Sequence, residues 1–196
     1  MTFIVKEYSP DMDMKPFFRT ALDQGYIFHT TPRIFQTPGE PIVKFWVVFQ
    51  DDAIVSVFGT QSFETRAEYA GTQSFSLFHR SCVLKYRSEF NGIITPKQFY
   101  NQHQNFMSQI QAPTTFKWLD QNVGTDYKML LTMEEGKPPP YTGSISMIKN
   151  YGRVGLTTRL SDKEWDGRTV QVWTFDHRKF MEQYEQCPKW DVHFPS

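Results

Sequence analysis

Val83-Leu84-Lys85-Tyr86-Arg87-Ser88-Glu89-Phe90-Asn91-Gly92-Ile93-Ile94-Thr95-Pro96-Lys97 is the stretch on which the reading of the fold turns: a strand that leads through a glycine-bearing loop into a helix. Thr95 is a good N-cap and Pro96 a good first helical residue, because the N–H that proline lacks is one a helix start leaves unpaired in any case. The first turn of such a helix offers unpaired N–H groups and the positive end of the helix dipole. Gly92 lets the backbone before it bend close to a ligand, with Arg87 and Lys97 nearby. The stretch outlines an anion site, best suited to a phosphate. The plain alternative is a strand-to-helix turn with two solvated cations.

Upstream of this stretch the pattern is mostly strand. Thr2 to Tyr8 alternates and is rich in β-formers, and Ser9-Pro10-Asp11 closes it. Phe17, Phe18, Ala21 and Leu22 fall at helical spacing between Met14 and Gly25. Tyr26 to Pro41, with three prolines, predicts a loop. Lys44 to Gln50 and Ala53 to Gly59 predict a hairpin across Asp51-Asp52, and the unbroken apolar run of its first strand predicts cover on both faces. In Ser74 to Leu84 the apolar residues change phase, which fits either a bulge near Phe78 to Arg80 or a strand partly buried on both faces.

Downstream, Phe99, His103, Phe106 and Ile110 mark one face of a helix from Thr95 to Gln111 whose other face is glutamine-rich, with Pro113 as its stop. Thr115 to Asp120 predicts a strand, Tyr127 to Met133 a helix, and Gly136 to Pro140 a stiff spacer. Ile145 to Leu156 is ambiguous. Gly155 to Leu160 and Thr169 to Phe175 predict a strand pair around Asp166-Gly167, followed by a helical turn at Phe180 to Tyr184 and an irregular tail from Cys187.

Composition narrows the function. At 196 residues a single domain over 1–196 is expected. Lysine plus arginine balance aspartate plus glutamate at 21 each, so no global field favours nucleic acid or an acidic membrane. Cys82 and Cys187 stand far apart without metal-ligand spacing, and the N-terminus has no secretory pattern, which predicts a reduced, cytoplasmic protein. The chain contains no phosphate-binding P-loop signature and no nucleophile elbow. His103 has no histidine or carboxylate at a metal-binding offset, so no metal site is expected.

The order strand, helix, hairpin, bulged strand, anion-loop helix, strand, helix and final strand pair resembles the GNAT superfamily of acyl-CoA-dependent N-acyltransferases. The segment Val83 to Ser88 is similar to that family's exit from its bulged fourth strand. The resemblance implies an α/β (α+β) fold with a mixed, mostly antiparallel central sheet and helices on both faces. It implies acetyl-CoA or another acyl-CoA as cofactor, with Cys82, Val83 and Leu84 on the pantetheine arm, and with Arg87, Ser88, Phe90, Asn91, Gly92 and Ile93 around the phosphates. The family's glycine signature is reduced here: Phe90 stands at the first glycine, and Glu89 adds a negative charge. For catalysis the resemblance implies a tyrosine acid on the helix after the fifth strand, matched by position to Tyr127, with Tyr151 as runner-up and Glu89 as a weaker base candidate. The expected activity is transfer of an acetyl or related acyl group to a small-molecule or peptide amine. The alternative is an inactive GNAT-like binding or structural protein of viral type.

Overall fold

The computed structural model describes residues 1–23, 42–82, 103–134, 145–165 and 167–196. Its strands are β1 (Thr2–Glu7), β2 (Ile42–Gln50), β3 (Ala53–Ser62), β4 (Ser74–Cys82), β5 (Lys128–Glu134), β6 (Thr157–Trp165), β7 (Arg168–Phe175) and β8 (Asp191–His193). Its helices are α1 (Lys15–Asp23), α2 (Ala112–Asn122), α3 (Ile145–Gly152) and α4 (His177–Gln186). The strands form one sheet in the order β6-β7-β5-β4-β3-β2-β1-β8. The β1–β8 and β4–β5 pairs are parallel and the rest antiparallel.

The expected hairpin is β2–β3, with Asp51 at its turn in the left-handed region at φ 55°, a conformation aspartate tolerates better than most residues. Gly59 is needed where the strands meet, because a Cβ there would lie 2.7 Å from the Lys44 carbonyl oxygen and 2.8 Å from the Phe45 ring. Trp46, Val47 and Val48 are buried in succession. Phe45 and Val47 pack with Met14 and Phe17 beside α1, whereas Trp46, Val48 and Phe58 pack with Phe106 and Ile110 on the opposite face. Helices therefore cover both faces, each such side chain contributing about 1.5–3 kcal/mol by leaving water.

The middle of the chain departs from the sequence reading. The part of the expected Thr95–Gln111 helix that is described begins at Phe106, since His103 turns left-handed at φ 52°. Pro113 does not end it. The helix passes through a π turn, Met107–Gln111, directly into α2, with Pro113 in the first turn of α2. The wider π turn shifts the carbonyls a proline ring would strike, and Thr114 Oγ1 donates to the Ile110 carbonyl at 2.6 Å. Thr115 to Asp120 is helix rather than strand, because Ala112, Phe116 and Leu119 repeat at helical spacing and are fully buried. Tyr127 to Met133 is not a helix but leads into β5, whose Met129, Leu130 and Leu131 are covered on both faces. The tail is not irregular throughout: β8 pairs with β1, and Trp190 stacks on Phe3 at 5.7 Å. No helix among the described residues is long and apolar enough to cross a membrane.

Candidate active site

The parallel strands at the centre of the sheet pair only at their beginnings. Ser74 faces Lys128 and Phe75 faces Met129, and there the β4–β5 ladder stops. Both strands continue on their outer sides, β4 along β3 as far as Cys82 opposite Ser56, and β5 along β7 as far as Glu134 opposite Val170. The strands are therefore separated beyond Phe75 and Met129. The expected bulge lies on this part of β4: Phe78 faces Gly59 and Ser81 faces Val57, so two residues of β4 oppose one of β3.

Tyr151 lies in one buried cluster with Leu77 and Leu131, which flank the opening beyond the last paired residues. It sits at the end of α3, where Gly155 turns at φ 73° and the Leu156 N–H donates to the Tyr151 carbonyl at 3.0 Å. Its ring is edge-on to Phe175 at 5.8 Å and stacks on His103 at 6.2 Å. The hydroxyl accepts from Asn105 Nδ2 at 3.0 Å and is hydrogen-bonded to Ser108 Oγ. Asn105 also caps the helix that begins at Phe106, accepting from the Ser108 N–H at 2.9 Å. His103 is wholly buried; its Nε2 meets Gln183 at 3.0 Å and its Nδ1 has no partner among the described residues. Burial holds the His103 imidazole below its ordinary pKa, hence neutral.

Tyr127 stands just before β5, at the paired end of the β4–β5 ladder. It stacks on His177 at 4.1 Å, and its hydroxyl donates to the Phe116 carbonyl at 3.4 Å. Burial, reinforced by nearby Asp120, raises its pKa far above the ordinary tyrosine value. Cys82 is the last residue of β4. Val83, Leu84, Arg87, Ser88, Glu89, Phe90, Asn91, Gly92 and Ile93 lie outside the described residues, as do Thr95, Pro96 and Lys97. The structure brings Asn105 and Ser108 to Tyr151, neither of which the sequence reading singled out. Their signal was an N-cap asparagine three residues before a serine, ahead of the Phe106–Ile110 repeat. A cleft of about 350 Å³ between α1 and the β2–β3 turn, lined by Asp13, Phe17, Phe49 and Asp52, lies on the opposite face of the sheet from Tyr151.

No protein-family model matches the chain, and no curated protein sequence matches it. Among solved structures, a CoA-dependent acyl-homoserine lactone synthase, BjaI, is similar over 100% of this chain and 93% of its own, at 9% identity and a TM-score of 0.50. The chain has the GNAT fold. The eight-stranded, mostly antiparallel sheet with helices on both faces is the architecture expected of it. Two further similar structures are an aminoglycoside N(6')acetyltransferase from Legionella pneumophila (13% identity, 93% of this chain and 96% of that one, TM-score 0.46) and Arabidopsis thaliana Naa50 (8% identity, 89% and 98%, TM-score 0.47).

Proposed function

We propose that this chain is a single-domain, cytoplasmic, acyl-CoA-dependent N-acyltransferase that moves an acetyl or related acyl group onto a small-molecule or peptide amine. The observation that supports it is the opening between β4 and β5 on the GNAT fold. A pantetheine arm is an extended chain with two amides, and it needs the backbone donors and acceptors of a strand edge. Beyond Phe75, β4 offers that edge where the ladder with β5 has stopped. Cys82, Val83 and Leu84 continue the same edge in sequence, and Arg87, Ser88, Phe90, Asn91, Gly92 and Ile93 follow as the segment for the phosphates.

Bound there, acyl-CoA supplies an activated thioester. The chain's own part is to hold it along β4 and to provide a proton for the departing sulfur. Tyr151 is the better candidate for that acid, because α3 is the helix that follows β5 and Tyr151 closes it beside the opening. Tyr127 sits where the strands remain paired. Glu89 remains the candidate base for the amine.

Thermal unfolding with acetyl-CoA and with longer acyl-CoA thioesters tests the reading. A thioester at about 100 times its dissociation constant adds about 2.7 kcal/mol of stability. Tyr151→Phe is expected to retain this stabilisation and to lose turnover with a panel of amines. No stabilisation by any acyl-CoA would overturn the reading.

A further inference from the structure

The helix that Asn105 starts also fixes the orientation of its amide. Oδ1 accepts from the backbone N–H of Ser108, a group that can only donate, so the Nδ2 side must face Tyr151. Ser108, fully buried in the same helix, brings its Oγ to the same phenol oxygen. Two side chains from one helix start therefore converge on one atom. A phenol oxygen has two lone pairs. The Asn105 N–H fills one of them; Ser108 Oγ lies against the same oxygen, and either hydroxyl can donate to the other while the phenol keeps its proton, but once that proton is lost only Ser108 can donate. The path from the hydroxyl to Asn105 Oδ1 is 3.4 Å, too long to hold that proton strongly.

We propose that Asn105 and Ser108 are positioning residues for an acid at Tyr151: they hold its oxygen in place and stabilise the phenolate left when its proton passes to a departing thiolate. The proposal rests on the N-acyltransferase reading. In the step, the amine nitrogen forms a C–N bond to the acyl carbon as the thioester C–S bond breaks. The Tyr151 O–H bond breaks as the S–H bond forms. The proton the amine loses returns through solvent to the phenolate, so the free thiol leaves and Tyr151 is restored.

The aromatic neighbours that pack on the Tyr151 ring carry no charge to stabilise a phenolate. His103 stacks on the Tyr151 ring and is neutral through burial; β7 presents Phe175 and α4 presents Phe180, neither of them titratable. Lys189 contributes a positive field that reaches His103. Two hydrogen bonds to the charged form make that form easier to reach.

The test uses protein labelled with [13Cζ]tyrosine, the Tyr151 signal being the one absent in Tyr151→Phe. Asn105→Ser keeps a helix cap but is too short to donate to the phenol. Ser108→Ala removes the hydroxyl and Ser108→Thr keeps it. The Tyr151 ionisation is expected to move up by about one pH unit, a tenfold change in proton affinity, in Asn105→Ser and in Ser108→Ala, and to return in Ser108→Thr. The alkaline limb of acetyl-CoA turnover should move with it. If Ser108→Ala does not fold, Asn105→Ser against the wild type decides the matter. A Tyr151 titration that is the same in every folded variant overturns the proposal, whether or not the wild type turns over acetyl-CoA. A shifted titration with no turnover of any acyl-CoA overturns the N-acyltransferase reading, and the thiolate step with it.

Discussion

Replacing Gln109 with methionine, which keeps its volume, should loosen both the turn that carries His103 and Asn105 and the C-terminal segment that backs it. Gln109 is fully buried, and its Nε2 donates to the His103 carbonyl at 2.9 Å and to the Pro188 carbonyl at 3.0 Å. Its Oε1 accepts from the Trp190 N–H at 3.0 Å. Gln104 repeats the link, donating to the Pro188 carbonyl at 2.9 Å and accepting from the Trp190 indole at 3.1 Å, so Pro188 keeps one partner in the variant. The Trp190 N–H and the His103 carbonyl lose theirs. Each lost hydrogen bond removes about 1 kcal/mol, and the stranded, half-buried N–H adds about 1 to 2 kcal/mol. The expected loss is about 3 to 4 kcal/mol, or a melting temperature lower by roughly 10 °C for a chain of this size. Chemical denaturation gives the free energy, and amide exchange at Trp190 locates it. A loss below about 1 kcal/mol with unchanged protection at Trp190 would refute the reasoning.

Burial depresses the proton affinity of His103 and His177 in the folded state, whereas in the unfolded chain both titrate near their ordinary value of 6.5. The unfolded state then binds more protons below that pH, so stability should fall as pH drops through and below 6.5; denaturation midpoints in an acid series check this, and His103→Gln should flatten the curve. Gly59→Ala should destabilise by about 1 to 3 kcal/mol, because the added methyl meets the Lys44 carbonyl and the Phe45 ring; an unchanged denaturation midpoint would contradict the close approach.

The sequence was most legible along the central strands. Of the two readings of the phase change in Ser74 to Leu84, an extra residue is the one found, with the bulge between Phe78 and Ser81. The run at Lys44 to Gln50 became a strand covered on both faces. Between Phe106 and Met133 the signals were double. Thr114, Thr115, Phe116 and Trp118 are strand formers placed in a helix by the burial of Ala112, Phe116 and Leu119, and Met129 to Leu131 is an apolar run too short for periodicity to decide. The site was harder to read than the fold. Ser108, Gln109 and Gln111 lie on what reads as a polar face, yet all are buried because each finds a partner inside, Gln111 bonding Ser56 Oγ at 3.0 Å. The family position pointed first to Tyr127, with Tyr151 as runner-up. The partners of Tyr151 on another helix required the fold.

Acyl-CoA along the edge of β4 beyond its ladder with β5 is the claim on which the functional account depends. Amide hydrogen exchange with and without saturating acetyl-CoA measures it directly. The account predicts slower exchange in the peptide spanning Ser76 to Cys82, with the β6–β7 hairpin unchanged. Equal exchange over Ser76 to Cys82 in the presence and absence of the thioester would contradict it.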